Sequence, residues 1–95
     1  MSQIRITPEQ MRSRAGEVHT ERDTYQQVIR NMEGIIANLQ TEWEGAASRG
    51  YEAQFNNLRP SFEAMRELFE ALGQQLKDTA RELEDLDQRI ASKFN

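Results

Sequence analysis

The residue types that most often carry enzyme chemistry are scarce in this chain. It has one histidine, His19, and no cysteine. A hydrolytic triad needs a nucleophile and an orienting acid arranged around a histidine, and the sequence shows neither that pattern nor a glycine-rich phosphate loop. We therefore predict no catalytic residues, no cofactor site and no small-molecule ligand.

The acidic neighbours of His19 do not make a convincing metal site. Glu17, Glu21 and Asp23 are near it in the sequence. A metal ion needs several ligands that converge, and a di-iron helical bundle needs Glu-x-x-His motifs facing inward, which the chain lacks. We predict no metal and a solvated position for His19.

Composition and charge narrow the class of partner. The chain has 95 residues, is 37% hydrophobic and 29% charged, and carries a net charge of −4. Nucleic-acid binders and membrane-surface segments need basic stripes, which are absent here. The sequence also lacks the apolar run of a transmembrane helix or of a conventional signal peptide. We expect no nucleic-acid binding, and any export would use another route.

A capping motif marks the start of the first predicted helix. Thr7 and Gln10 have the spacing of a capping box, and Pro8 suits the first helical position. Apolar residues then recur in steps of four and three, which predicts a helix from about 8 to about 41. Residues before Thr7 are expected to form a loose arm. The predicted seam of this helix is Met11, Ala15, Val18, Tyr25, Ile29, Met32, Ile36, Leu39 and Trp43.

A bend over residues 42–46 separates this helix from a second one. Gly45 can adopt the positive φ that a helix end requires, and Ala46, Ala47 and Ser48 are small enough for a close approach. The second helix is predicted from about 46 to about 92, with a kink near Pro60. Its predicted seam is Tyr51, Phe55, Leu58, Phe62, Met65, Phe69, Leu72, Leu76, Thr79, Leu83, Leu86, Ile90 and Phe94.

These elements predict a single all-α domain, a hairpin of two long antiparallel helices. Two helices bury one seam only, and a core this thin is marginal in so short a chain. Apolar residues beside the seam would remain exposed to solvent in a single hairpin, so we predict that the hairpin dimerises into a four-helix bundle. The predicted dimer interface is Val28, Ile29, Met32, Ile35, Ile36, Phe62, Met65, Leu68 and Phe69.

The bend motif and a pattern late in the chain carry a family resemblance. Trp43, Glu44 and Gly45 form a Trp-x-Gly motif between two heptad-patterned helices, after an opening Ile4–Glu9. Late in the second helix stands a hydrophobic-x-x-x-Asp-x-x-hydrophobic-x-x-x-hydrophobic pattern made of Leu83, Asp87, Ile90 and Phe94. The whole chain resembles the WXG family of small early-secretory-antigen-like proteins, which are substrates of type VII secretion systems.

The resemblance implies export as a folded dimer, recognised by a membrane-bound secretion ATPase. It implies a recognition signal shared between the Trp-x-Gly bend of one subunit and the C-terminal helix pattern of its partner. Leu83 stands where other members carry Tyr, which favours the homodimer-forming Gram-positive branch, although a paralogous partner stays open. The resemblance also implies synthesis and dimerisation in the cytoplasm before secretion.

The same sequence features also have structural explanations that involve no secretion. The heptads alone fit an intracellular dimeric adaptor or scaffold equally well. A membrane-active helix pair is disfavoured by the net charge. Trp43 suits a staple over the bend as well as a recognition residue, and Asp87 has Arg81 and Arg89 nearby as candidate ion-pair partners.

Overall fold

Two long α-helices make up almost all of the described chain. The computed structural model describes residues 6–43 and 45–93. Helix α1 spans Pro8–Glu42 and helix α2 spans Ala46–Lys93, where the sequence predicted about 8–41 and about 46–92. The helices pack side by side over their length, in a rod of 76 × 23 × 17 Å. The predicted all-α antiparallel hairpin is confirmed.

A capping box opens α1. The Thr7 side chain accepts a hydrogen bond from the backbone N–H of Gln10 at 3.0 Å, and the Gln10 side chain accepts one from the Thr7 N–H at 2.9 Å. Pro8 occupies the first helical turn, where its missing N–H has no intrahelical partner to lose. The arm predicted before Thr7 lies, except for Ile6, outside the described residues.

Helix α2 continues through Pro60 and remains one element from Ala46 to Lys93. Proline removes one backbone hydrogen bond, yet the α-helical conformation is maintained on both sides of it. The kink predicted near Pro60 stays a prediction, since continuity of the helix does not measure its bend.

Aromatic and aliphatic side chains form the contact between the helices. Tyr25 and Phe69 meet edge to face across it, with ring centroids 5.6 Å apart. Phe55, which is buried, packs against Phe62 about two helical turns further along α2, with ring centroids 5.3 Å apart. Such aromatic pairs contribute about 0.5–1.5 kcal/mol beyond the area they bury.

The predicted seam of α2 is wrong in one respect. Its seven-residue series through Phe55, Phe62 and Phe69 does face α1, although Ile90 near the end of that series is exposed. The other predicted series is exposed, namely Tyr51, Leu58, Met65, Leu72 and Leu86. On the opposite flank the contact uses small buried residues instead, Gly73 and Ala80. Small side chains bring the helix backbones together there, which turns the second apolar series outward.

Neither helix, over the described residues, is at once long enough and apolar enough to cross a membrane.

Candidate recognition motif and interaction surface

The Trp-x-Gly motif forms the bend itself. Trp43 is the C-cap of α1, with φ −135° and ψ 98°, and its backbone N–H donates to the Leu39 carbonyl at 2.9 Å. Glu44, the middle residue of the motif, lies outside the described residues. The backbone therefore leaves the helical conformation at the tryptophan, and α2 begins only three residues later.

Gly45 is required by its backbone conformation. Its φ is +147°, a region that L side chains rarely adopt, although a Cβ there would meet no atom within 4 Å. The sequence assigned this positive φ to the end of α1, whereas Gly45 directly precedes α2. Its carbonyl accepts from the Arg49 N–H at 3.4 Å, in the first turn of that helix. Conformation, and not crowding, explains the glycine.

A polar tie closes the bend from the inside. The Gln40 amide donates from Nε2 to the Ser48 carbonyl at 2.7 Å, and the Ser48 hydroxyl donates to Gln40 Oε1 at 3.3 Å. Ser48 is only 2% exposed. Because buried polar groups are costly unless they are paired, this reciprocal contact fixes α2 against α1 next to the bend.

Trp43 combines packing with exposure. Its ring lies 6.0 Å from that of Tyr51, centroid to centroid, with the planes inclined at 47°. Its side chain is nevertheless 43% exposed. The indole thus covers the start of α2 and still presents an edge at the end of the rod, so the geometry accommodates both roles considered for it.

The C-terminal pattern lies at the other end of the hairpin. Leu83 is half-buried, whereas Asp87 and Ile90 are exposed. Phe94 lies outside the described residues. No lysine or arginine nitrogen in the described part of the chain lies within 4.0 Å of the Asp87 carboxylate. The alternative that Asp87 serves an ion pair with Arg81 or Arg89 is therefore absent from this structure.

An apolar face runs along one side of the hairpin. It comprises Val28, Met32, Ile35, Leu58, Met65, Leu68 and Leu72, all of them exposed. Val28 follows Tyr25 by three residues, and Leu58 follows Phe55 by three. Two antiparallel right-handed helices are related by a twofold axis perpendicular to the plane that contains them. Residues with the same sequence offset from the interhelical contact therefore lie on the same side of the hairpin in both helices. The two helices thus present one continuous surface.

The predicted dimer interface divides between this face and the hairpin interior. Val28, Met32, Ile35, Met65 and Leu68 belong to the apolar face. The other four predicted residues, Ile29, Ile36, Phe62 and Phe69, are half-buried between α1 and α2. They support the outward-facing residues from behind, and their place in a dimer stays a prediction.

Ion pairs bridge the two helices away from the apolar face. Arg59 Nη1 lies 2.8 Å from Glu33 Oε1, and its guanidinium stands over the Phe55 ring at 5.1 Å. Arg12 pairs with Glu84 near the open end of the hairpin. The Arg12 guanidinium hydrogen-bonds the Glu84 carboxylate and lowers its pKa below the usual value. One surface of the hairpin is therefore apolar while charged pairs cross the contact elsewhere.

The predicted solvated position of His19 is wrong. Its Nε2 lies 3.1 Å from the Glu70 backbone carbonyl oxygen, so the imidazole reaches across to α2. It is partly buried beside Gly73, which is itself buried. His19 lies one helical turn after Ala15 but was not part of the predicted seam. The glycine opposite it has no hydrophobic side chain that a sequence pattern could register. Over residues 6–43 and 45–93, no cluster of three potential ligands is arranged to hold a metal ion.

Comparison with known proteins agrees with this architecture. The family described as "Proteins of 100 residues with WXG" matches residues 3–88. Protein YukE of Bacillus subtilis is 37% identical over 91 residues, which cover 96% of this chain and 94% of YukE. The type VII secretion system extracellular protein A of Staphylococcus aureus is 29% identical, over 99% of this chain and 97% of that protein.

Solved structures show the same likeness. EsxA of Geobacillus thermodenitrificans superposes with a TM-score of 0.82 at 41% identity, and the match covers 96% of this chain and 98% of that one. The secreted protein EsxB of Bacillus anthracis superposes with a TM-score of 0.79 at 26% identity, over 92% and 99% of the two chains.

The helical hairpin, the Trp-x-Gly bend and the match over nearly the whole chain establish the class: this chain belongs to the WXG100 family. Membership places it among non-enzymatic proteins. The resemblance inferred from Trp43, Gly45 and the heptads is confirmed at the level of the family.

Proposed function

We propose that this chain is an exported substrate or partner protein of a type VII secretion system, and that it is recognised as a folded dimer. The observation that carries the proposal is the pairing of an intact Trp-x-Gly bend with an exposed apolar face, in a chain whose relatives include a type VII extracellular protein. Synthesis and dimerisation in the cytoplasm would precede secretion.

The apolar face supports the dimer. Ile35 and Leu68 are 57% and 58% exposed, and neighbours of the same chemistry surround them along both helices. Contiguous apolar patches of this kind on a small protein usually mark an interaction site. A second hairpin laid against this face would cover it and form a four-helix bundle. A self-complementary face that is apolar along its middle suits a homodimer, and a paralogous chain with the same pattern would also fit.

The position of the two motif regions supports a signal shared between subunits. Ala46 and Asp87 lie near opposite ends of α2, about 60 Å apart at the usual helical rise. One recognition surface on the secretion ATPase cannot easily contact both ends of one hairpin. In an antiparallel dimer, the Trp43 bend of one subunit lies beside Leu83, Asp87 and Ile90 of the other.

Export itself is the first test. The chain is followed in cells and in culture supernatant of its host, with and without the gene for the secretion ATPase, beside a cytoplasmic marker protein. The proposal requires the chain in the supernatant and its loss with the ATPase. Retention inside the cell in both strains would favour the intracellular adaptor instead.

Dimerisation is tested at the apolar face. Leu68→Glu places a charge on the face, and we expect sedimentation at micromolar concentration to show monomer where the unmodified chain shows dimer. Ala71→Glu, exposed on the outer side of the same helix, is the matched control and should remain dimeric. Equal behaviour of the two variants would exclude this face as the interface.

The shared signal is tested by mixing variants. Asp87→Asn should abolish export, whereas Asp85→Asn, an identical charge change on an exposed neighbour, should not. A Trp43→Ala chain co-expressed with an Asp87→Asn chain restores one intact bend-plus-helix pair in the mixed antiparallel dimer. Rescue of export by co-expression supports a signal made by two subunits. Failure of rescue in mixed dimers, shown by differential tags, would place the signal within one hairpin.

A further inference from the structure

The imidazole of His19 lies in a notch on α2 that exists because residue 73 is glycine. A Cβ at Gly73 would lie 2.2 Å from His19 Nε2 and 2.4 Å from its Cδ2, far inside contact distance. The ring nitrogen meets the Glu70 carbonyl oxygen at 3.1 Å, which places a hydrogen on Nε2 as the donor. Shape and hydrogen bonding both define one position of the ring.

We propose that His19 and Gly73 form a latch that holds the open end of the hairpin at one separation and one rotation of the helices. The end near the bend is fixed by the chain connection and by the contact between Gln40 and Ser48. His19 lies 24 residues before Trp43, so these constraints act about 36 Å away at the usual rise.

Two other contacts of the open end specify its geometry less well. Arg12 and Glu84 form an ion pair whose side chains are both about two-fifths exposed, and such surface pairs contribute little. Ala15 and Ala80 are fully buried, but a methyl group offers little directional fit. The imidazole in its glycine notch is a more specific contact than either of these. It holds the part of α2 that carries Leu83 and Asp87, so the latch would position the C-terminal signal if the proposed function holds.

The latch makes an unusual prediction about glycine substitution. Glycine to alanine inside a helix normally stabilises a protein, because alanine has the higher helix propensity. Gly34→Ala follows this rule, since a Cβ there meets nothing within 4 Å, and should raise the melting temperature. Gly73→Ala should lower it by several degrees, since the new methyl group displaces His19.

Removing the imidazole should reverse the sign of that effect. A His19→Ala background removes the three atoms nearest to a Cβ at residue 73, so Gly73→Ala should there raise the melting temperature as Gly34→Ala does. All variants are compared at one protein concentration, with the oligomeric state checked by sedimentation. Should Gly73→Ala alone fail to fold, the double variant against His19→Ala still decides. A stabilising Gly73→Ala with His19 present, or a destabilising one without it, would overturn the latch.

Hydrogen exchange supplies a readout that a general loss of stability would not give. In His19→Ala, we expect amides in 9–18 and 76–92 to exchange severalfold faster, while those in 30–40 and 50–62 keep their rates. Uniform acceleration along both helices would show that His19 contributes only overall stability. This outcome is independent of export, so it separates failure of the latch from failure of the proposed function.

Discussion

Gln40 and Ser48 bind each other reciprocally across the bend, the amide donating to the Ser48 carbonyl at 2.7 Å and the hydroxyl donating to Gln40 Oε1 at 3.3 Å. The two residues are eight apart in sequence and belong to different helices. The contact therefore ties the last turn of α1 to the first turn of α2.

Gln40→Ala should destabilise the hairpin by about 1 kcal/mol, because it removes both hydrogen bonds from a partly buried site. The measurement is urea unfolding followed by circular dichroism. Gln27→Ala is the control, since Gln27 bonds only the exposed Asn31 within its own helix. A loss no larger than that of the control would show that the tie contributes nothing to stability.

Gly45→Val should cost about 1–3 kcal/mol, because a β-branched residue is strained at a φ of +147°. Thermal unfolding measures the loss. Gly50→Ala is a contrasting glycine substitution four residues beyond the start of α2, at a helical site with open space. That variant should instead gain about 0.5–1 kcal/mol. If both substitutions stabilise the chain, the bend does not depend on glycine.

Trp43→Ala should cost about 1 kcal/mol in stability, since the indole packs on Tyr51 but is substantially exposed. The hairpin and the proposed dimer should persist, as judged by circular dichroism and sedimentation. Trp43→Phe keeps an aromatic contact and serves as the control. A collapse of the helical signal in Trp43→Ala would assign the residue to folding and remove the basis for a separate role in recognition.

Acid should weaken the open end of the hairpin through Glu84. Arg12 holds the pKa of this carboxylate below its usual value, so the ion pair stabilises the fold above the unfolded-state pKa of about 4.3. That contribution is lost as the pH falls through the lower folded-state pKa. Carboxyl titration by NMR should show the Glu84 pKa rising in Arg12→Gln. An unchanged Glu84 pKa in that variant would mean that the pair does not persist in solution.

Glu63 tests the same principle within one helix. The Arg66 guanidinium hydrogen-bonds this carboxylate and lowers its pKa. Arg12→Gln should leave the Glu63 titration untouched, which makes Glu63 an internal reference in the same spectra. A parallel shift of both carboxylates would point to a general change of the fold.

The hairpin and its family were readable from the sequence because their signals are local and repeated. The cap at Thr7 and Gln10, the Trp43 bend and the seven-residue spacing of Phe55, Phe62 and Phe69 each act over a few residues. The periodicity of apolar residues predicts where each helix runs and that it has an apolar side. These two features are nearly sufficient to predict a hairpin of two long helices.

Which apolar series faces inward could not be read in the same way. The series through Leu58 and Met65 is as regular as the one through Phe55 and Phe62, and the choice depends on what lies on the other flank. On that flank Gly73 and Ala80 allow the two helix backbones to approach closely, because their side chains are absent or small. A pattern of apolar residues does not reveal this effect. The docking of His19 was missed for the same reason, because its partner is the space left by a glycine.

The rod is 76 Å long and measures 23 Å by 17 Å in its other two dimensions. If a folded hairpin passes through a channel with its long axis along the channel, the channel needs to be only as wide as the cross-section of the hairpin. A dimer joined along the apolar face would widen that outline in one direction and leave the others nearly unchanged. The width of the passage, and not its depth, is then the dimension that decides between a folded pair and a single chain.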